Sequence, residues 1–365
     1  MDEDKEVLLK ALSSFALYRP SLHSANQLRR TDYISLSETH KSLLPDYLQK
    51  LEEADDAIEL NSDLVEAMLF TGSEALLGEK WSKAMSVTPG SGDLEKVRAA
   101  VKQVVRDWSS EGAEERRLTY SPLLDLLQRE YSGLPPEERS SVSVLTPGCG
   151  LARLSFEVAR LGFDSVGNEF SYHMLIASNY LLNCTTKVGQ HEFSPFVHSF
   201  SNHQRHEDMI RRISIPDVVP SDVLQDASFS MATGEFIESF GSAQSASSFD
   251  CIITSFFLDT AHNIIDYLDT IRNLLKDGGF WINVGPCLWH HEHGQNRHGK
   301  SAFDEDGTYA GSIELSMEEI MTLIGKMGFI VDHEESVSTP YMGNTRGMLE
   351  HTYHARLFTA HLRKS

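Results

Sequence analysis

Residues Val142–Glu169 read VSVLTPGCGLARLSFEVARLGFDSVGNE. The apolar residues at the start of this stretch predict a short buried strand, which ends at the PGCG turn. Apolar residues then recur at helical spacing up to Gly162, a residue type that favours the left-handed turn after a helix. The last residues predict a second strand that ends on Glu169. This order of strand, glycine turn, helix, strand and carboxylate is typical of a nucleotide-binding βαβ unit.

The glycines and the carboxylate suit a ribose-containing cofactor. Gly148 and Gly150 lack a Cβ, so a ligand can approach the backbone closely. Glu169 lies about 20 residues after the glycines, the spacing at which a carboxylate accepts hydrogen bonds from a ribose diol. NAD and S-adenosylmethionine (SAM) both carry such a ribose. We favour SAM because Ala152 and Arg153 replace the third glycine of the dinucleotide fingerprint, and because the chain contains one nucleotide-binding half instead of two.

Composition and charge argue against several classes of protein. The chain has 365 residues and a formal net charge of −21, which argues against nucleic acid as an obligatory partner. No apolar run reaches the roughly 18–20 residues that span a membrane, and the first residues lack the features of a signal peptide. The four cysteines show no CxxC spacing, so we expect a protein of the cytosol or nucleus.

The rest of the chain predicts an α/β protein with two regions. Helical periodicity dominates residues 1–135, a helical N-terminal region, whereas residues 136–365 alternate strands with helices and form the cofactor-binding domain. Residues 190–228 contain no long periodic element, so we predict a lid loop over the site. Further strands are predicted at 229–234, 250–257, 279–284, 329–335 and 352–361, the last two as an antiparallel pair.

Four strings carry a resemblance to a known family. They are VRDWSSEGAEER, PGCGLARLSFEVARLGFDSVGNEFSYHML, FSMATGEF and FFLDTAHNIIDYLDTIRNLLKDGGFWINVGP. Together they resemble the N2227-like family, the carnosine N-methyltransferases. The resemblance implies the class I methyltransferase fold, which is a Rossmann-like seven-stranded sheet, here with a helical N-terminal region. It also implies a reaction in which the methyl group of SAM passes to an imidazole ring nitrogen of carnosine, giving anserine.

The same resemblance assigns residues to the two ligands. The VKQVVRDW motif places SAM contacts at Gln103 and Arg106. The other SAM contacts that it implies are Gly148 in the glycine turn, Glu169 at the ribose, Glu235 and Phe236 at the adenine, and Ser255 late in the fourth strand. The carnosine contacts that it implies are Asp259, His290 and Tyr353. It implies no metal ligand, and it suggests a homodimer, for which the helical region offers surface.

Asp259 is the residue that we predict to be catalytic. Neutral imidazole has one N–H and one nitrogen lone pair. A carboxylate that accepts from the N–H fixes the tautomer, turns the lone pair towards the methyl group and stabilises the positive charge that grows on the ring. His290 and Tyr353 would orient the dipeptide. The sequence also allows a structural role for Asp259, as the N-cap of a helix predicted over 260–275.

Other functions stay open on the sequence alone. The chain could methylate histidine in peptides or proteins, act as a non-catalytic SAM-binding partner protein, or be an NAD-dependent oxidoreductase. A zinc site is also suggested by four histidines that follow the fifth strand, namely His290, His291, His293 and His298. We disfavour zinc because none of these histidines lies on a predicted rigid element.

Overall fold

The computed structural model describes residues 3–90, 92–225, 227–292 and 311–362. The helices are α1 Glu3–Ala16, α2 Tyr18–Ile34, α3 Glu38–Ser42, α4 Tyr47–Leu77, α5 Asp93–Trp108, α6 Ala113–Glu130, α7 Arg153–Arg160, α8 Tyr172–Asn183, α9 His206–Ile210, α10 Pro220–Val223, α11 Phe236–Phe240, α12 Ile264–Leu274 and α13 Met317–Lys326. The strands are β1 Ser143–Pro147, β2 Asp164–Glu169, β3 His191–Phe193, β4 Ile213–Ile215, β5 Phe229–Thr233, β6 Phe249–Ser255, β7 Leu275–Gly285, β8 Phe329–Pro340 and β9 Thr352–Leu362. Within these ranges, no helix is both long and apolar enough to cross a membrane.

The chain divides into two compact units, which we call the helical unit and the sheet unit. The helical unit consists of Met1–Glu114, Ser171–Asp222 and Met342–His351. The sheet unit consists of Glu115–Phe170, Val223–Tyr341 and Thr352–Ser365. This partition differs from the predicted boundary between residues 135 and 136. The reason is that α8 packs with α4 and α5, whereas α6 contributes its apolar face to the core of the sheet unit.

The sheet unit is built on a seven-stranded sheet in the order β5-β2-β1-β6-β7-β9-β8. The strands β5, β2, β1, β6 and β7 are parallel, and β9 is antiparallel to both β7 and β8. This arrangement confirms the predicted α/β class and the antiparallel closing pair. Parallel strands present their carboxyl ends at one edge of a sheet, where ligands bind in open α/β folds. We call this edge the carboxyl edge.

Helices cover both faces of this sheet. Along β6, Cys251 and Ile253 face a cluster that includes residues of α6 and α7, whereas Ile252 faces a cluster with α12 and α13. All three side chains are fully buried. Alternate side chains of a strand point to opposite faces, so a strand covered on both sides is apolar throughout. The two apolar layers hold the strand ends in register at the carboxyl edge.

The helical unit contains most of the segment predicted as an irregular lid loop. Here β3 pairs antiparallel with β4, and Phe193 and Ile215 on these strands are fully buried. Asn61 of α4 donates to the Ser194 carbonyl at 2.9 Å and accepts from the Ser194 N–H at 2.6 Å. Residues 190–222 are therefore packed and hydrogen-bonded within this unit, and their role as a lid stays a prediction.

Candidate active site

The glycine turn follows β1 and lies beside the end of β2. Gly148 and Gly150 have φ of +63° and +57°, values that favour glycine. The Gly150 N–H donates to Glu169 Oε2 at 2.8 Å, and the Phe170 N–H donates to Glu169 Oε1 at 2.9 Å. Ala152, which replaces the third glycine, is fully buried and left-handed with φ of +63°. The turn and the predicted ribose carboxylate thus form one hydrogen-bonded structure.

The residues around this turn fit SAM. A Cβ added to Gly148 would lie 2.5 Å from the Phe257 ring, so the turn has no room for a side chain. Glu235 follows β5, which neighbours β2 in the sheet, and its carboxylate accepts from the Glu238 N–H at 2.9 Å. Carboxylates after β2 and β5 provide acceptors for ribose hydroxyls and for an amino group. These hydrogen-bond acceptors therefore suit the hydroxyl and amino groups of the nucleoside part of the cofactor.

Phe236 packs inside an aromatic cluster. It is 3% exposed, and its ring lies edge-to-face with the rings of Phe257 and Tyr267. Burial raises the pKa of Tyr267 to about 12, and the nearby carboxylates Glu235 and Glu169 act in the same direction, against a hydrogen bond from Thr260. Phe236 therefore supports the wall of the site from behind, and its predicted contact with adenine stays a prediction.

The end of β6 brings an aromatic group to the carboxyl edge. β6 ends at Ser255, which is half-buried, and the next residue, Phe256, has φ of +52°. Such a conformation is uncommon for a bulky residue and is found mostly where function or packing requires it. The Phe256 ring stacks on Tyr341 with centroids 4.6 Å apart and lies edge-to-face with Tyr353 at 5.5 Å. Neither Phe256 nor Tyr341 was predicted as a site residue; the FF pair at the strand end was the available signal for Phe256.

Asp259 lies in a 3₁₀ turn, Leu258–Thr260, shortly after β6 and is 3% exposed. Its Oδ2 accepts from the Leu288 N–H at 2.9 Å, and its backbone carbonyl accepts from the His290 N–H at 3.0 Å. Burial raises the pKa of Asp259, and the Leu288 hydrogen bond and the nearby His290 oppose this only in part. The carboxylate is therefore a stronger proton acceptor than one in water.

The alternative role of Asp259 as a helix N-cap is wrong. α12 begins at Ile264, not at residue 260, and its N-cap is Asn263, whose side chain accepts from the Ile265 N–H at 3.1 Å. The residues before Asn263 form the 3₁₀ turn instead. Asp259 therefore does not satisfy the amino end of this helix.

His290 is exposed and follows β7 on the chain that leaves the carboxyl edge. Of the four histidines that raised a zinc site, His293 and His298 lie outside the described residues. Within the part of the chain that the structure describes, no group of three or more His, Cys, Asp or Glu side chains is arranged to hold a metal ion.

Gln103 and Arg106 lie on α5 in the helical unit and share one partner. Gln103 Nε2 donates to Asp107 Oδ2 at 3.2 Å, and Arg106 donates from Nε to Oδ1 at 2.8 Å and from Nη2 to Oδ2 at 3.0 Å. Asp107 is fully buried. Sequence reasoning missed Asp107, although it stands in the VRDW string. The contacts of Gln103 and Arg106 with SAM stay predictions.

Tyr353 completes the carboxyl edge, because β9 runs antiparallel and its first residues lie beside the end of β7. The sheet unit thus contains all the predicted site residues except Gln103 and Arg106. A mostly parallel sheet with a glycine turn after β1, carboxylates at the end of β2 and after β5, and a buried acid after β6 indicates the class of SAM-dependent methyltransferases.

Comparison with known proteins agrees with this class and narrows it. Residues 83–364 match the family model for carnosine N-methyltransferase. The chain is 41% identical over 374 residues to the carnosine N-methyltransferase of Schizosaccharomyces pombe, covering 100% of this chain and 98% of that protein. It is 35% identical over 362 residues to the carnosine N-methyltransferase of Mus musculus, covering 97% of this chain and 86% of that protein. The chain therefore belongs to the carnosine N-methyltransferase family, and it is a SAM-dependent N-methyltransferase.

Several solved structures are similar at a lower level. Among them, magnesium protoporphyrin IX methyltransferase from Synechocystis, with bound SAH, has a TM-score of 0.37 and 14% sequence identity. The similarity covers 82% of this chain and 96% of that one.

Proposed function

We propose that this chain transfers the methyl group of SAM to an imidazole ring nitrogen of carnosine, giving anserine. Membership of the family over almost the whole chain supports the proposal. The observation that carries it is Asp259, a buried carboxylate in the turn after β6, two residues beyond Phe257, whose ring packs against Gly148. A neutral imidazole acceptor needs such a group to accept the hydrogen bond of its ring N–H.

The reaction is a displacement at carbon. When bound, SAM supplies an electrophilic methyl group on a positively charged sulfur. The imidazole lone pair forms the new N–C bond, the electron pair of the C–S bond stays on sulfur, and the proton on the other ring nitrogen is then lost. The protein's contribution is to position the two reactants and to exclude water.

Asp259 acts on the ring nitrogen that carries hydrogen. Its carboxylate accepts the hydrogen bond of that N–H, which turns the lone pair of the other nitrogen towards the methyl group. As the N–C bond forms, positive charge grows on the ring and the same carboxylate stabilises it. Because burial raises the pKa of Asp259, the carboxylate can also take up the proton.

Aromatic side chains provide the wall against which the acceptor lies. Phe256, Tyr341 and Tyr353 pack on one another within 6.2 Å between ring centroids. A flat imidazole ring can stack on such a surface, which displaces water from the reacting nitrogen. In this proposal His290, which is exposed and whose backbone N–H donates to the Asp259 carbonyl, contacts the more polar part of the dipeptide.

The cofactor side uses backbone and carboxylates. Gly148 allows close approach, Glu169 accepts from the ribose hydroxyls, and Glu235 accepts from the adenine amino group.

The direct test is product analysis. Purified protein is incubated with methyl-labelled SAM and, separately, with carnosine, homocarnosine, histidine and a histidine-containing peptide, and the products are identified by mass spectrometry. We expect the highest kcat/KM with carnosine. Preferential methylation of the peptide would replace carnosine with a protein substrate, and SAM binding without any methylated product would make the chain a non-catalytic partner.

We also propose a homodimer that uses the exposed apolar side chains of segment 28–48. These side chains are 39–74% exposed, namely Leu28, Ile34, Leu43, Leu44 and Leu48. Exposed apolar patches of this kind mark protein interfaces, and a second copy of the chain is the occupant that we propose. Light scattering should give twice the chain mass for the wild type and the monomer mass for Leu43→Glu. Val188→Glu, at another exposed site, is the control; a monomeric wild type would contradict the proposal.

A further inference from the structure

The chain between β7 and α13 has two described parts that lie side by side. We call residues 286–292 the first arm and residues 311–316 the second arm. Trp289 Nε1 of the first arm donates to the Leu315 carbonyl of the second arm at 3.0 Å. The first arm carries His290, so whatever holds the two arms also sets the position of a proposed acceptor contact.

The residues that follow β6 accept hydrogen bonds from backbone N–H groups of both arms. Asp259 accepts from Leu288 N–H and His290 N–H of the first arm at 2.9 and 3.0 Å. The His262 carbonyl accepts from the Ile313 N–H of the second arm at 3.1 Å. Segment 258–262 therefore binds the first arm at one end and the second arm at the other.

The His262 side chain adds a contact to each arm. Its Nδ1 lies 3.2 Å from the Gly311 carbonyl oxygen. Because a carbonyl oxygen only accepts, this hydrogen bond requires the hydrogen on Nδ1. The ring also stacks on His291, with centroids 3.5 Å apart and an interplanar angle of 19°. The His262 side chain thus contacts both His291 of the first arm and Gly311 of the second arm.

The stack is suited to a neutral His291. Burial lowers the pKa of His291, and His262 and His290 lower it further, against a hydrogen bond to the Thr260 backbone. A neutral His291 can lie against His262 without charge repulsion, so the stack is a packing contact instead of an ionic one.

We propose that His262 is a positioning residue for the methyl acceptor, which fixes the two arms, and with them His290, against Asp259. The inference rests on the proposed function for the identity of the acceptor. His262 acts through His290 and Asp259. Its loss should weaken acceptor binding while leaving the cofactor side unchanged.

The test uses three variants that separate the two contacts. His262→Ala removes both, His262→Asn keeps an N–H donor for Gly311, and His262→Phe keeps the ring stack. We expect His262→Ala to raise the KM for carnosine about tenfold, the effect of losing one hydrogen bond and its packing, with kcat and the Kd of SAM changed less than about twofold. His262→Asn and His262→Phe should each recover part of the loss. His333→Ala, which removes a histidine on β8 that bonds Glu335, is the matched control.

A second measurement does not depend on carnosine. Amide hydrogen exchange in peptides that cover the two arms should be faster in His262→Ala than in the wild type, with peptides of the glycine turn unchanged. Unchanged exchange in the arms, an unchanged KM, or an equal loss of SAM affinity would each overturn the proposal. A wild type that does not methylate carnosine would instead contradict the proposed function, and the exchange result would still decide whether His262 holds the arms.

Discussion

The two sides of the carboxyl edge are built in different ways. The cofactor side, from the glycine turn to Glu169, comes from consecutive residues and is joined by backbone N–H groups that donate to one carboxylate. The proposed acceptor side uses residues that are far apart in the sequence: the Asp259 carbonyl accepts from the His290 N–H, and the Tyr353 ring lies edge-to-face with Phe256. In the proposed site, cofactor contacts therefore depend on local backbone geometry, whereas acceptor contacts depend on distant segments.

The strongest way to separate the two sides is Asp259→Asn. Asn keeps the shape and an oxygen that can accept from Leu288, but it loses the charge that stabilises the imidazole. We expect kcat to fall about 100- to 1,000-fold, as for the loss of one charge-stabilising group, with the Kd of SAM nearly unchanged. Steady-state kinetics and calorimetry measure the two quantities. Asp266→Asn on α12 is the control, and an unaltered kcat would remove Asp259 from the catalytic role.

On the cofactor side, Gly148→Ala should have the next largest effect. The added Cβ would meet the Phe257 ring at 2.5 Å, and φ of +63° disfavours any side chain. We expect the free energy of unfolding to fall by about 1–3 kcal/mol, as for overpacking, together with a loss of SAM affinity. Gly133→Ala is the matched control, since a Cβ there meets no atom within 4 Å. Thermal denaturation that gives equal stability for the two variants would mean that the turn can relax.

Glu169→Gln tests the ribose contact with a smaller change. Gln keeps one oxygen for the Gly150 N–H, but it loses the charge that strengthens bonds to hydroxyls and the second oxygen, which accepts from the Phe170 N–H. We expect the Kd of SAM to rise about tenfold, the value of one charge-assisted hydrogen bond, with kcat at saturating SAM unchanged. Calorimetric titration with SAM measures this. If Glu169→Gln bound SAM as tightly as the exposed-site variant Glu138→Gln, the ribose would lie elsewhere.

His361 provides a reference that is remote from both sides. Its Nδ1 bonds Asp332 and its Nε2 bonds Glu130 at 3.2 Å. Burial lowers the pKa of His361, but these two carboxylates outweigh burial and raise it above the ordinary 6.5. A raised pKa contributes stability that is complete below 6.5 and is lost as the pH rises through the folded-state value.

The smallest effect is therefore expected for His361→Gln. The Tm difference between His361→Gln and the wild type should be largest near pH 6.5, the ordinary pKa of histidine, and should disappear in alkaline solution. Thermal denaturation across a pH series measures it, with kcat/KM as the control, because neither side of the carboxyl edge contains His361. A Tm difference that grows with pH would contradict the assigned direction.

Much of the fold could be predicted from the sequence because the signals are local. Strand and helix periodicity around the PGCG turn, and the apolar run of β6, depend only on neighbouring residues, and they predicted strands that the structure confirms. The predicted start of α12 at residue 260 was wrong. The helix begins at Ile264 because Asn263 caps it, and the exact end of a helix depends on which nearby residue acts as the cap. The partition into units also differed, because α6 and α8 pack according to contacts that no local pattern reveals.

The sequence by itself determined that this chain carries a nucleotide-binding βαβ unit, since the glycines and the carboxylate lie at a fixed spacing within one short segment. It favoured SAM over NAD through Ala152 and Arg153 in place of the third glycine and through the resemblance of four strings to the methyltransferase family. Only the tertiary structure decided that Phe256 adopts a left-handed conformation against Tyr341 and Tyr353, and that His262 joins the two arms beside Asp259. The physical reason is that these features arise from packing and hydrogen bonds between segments distant in the chain. Local propensity does not encode which distant segments meet.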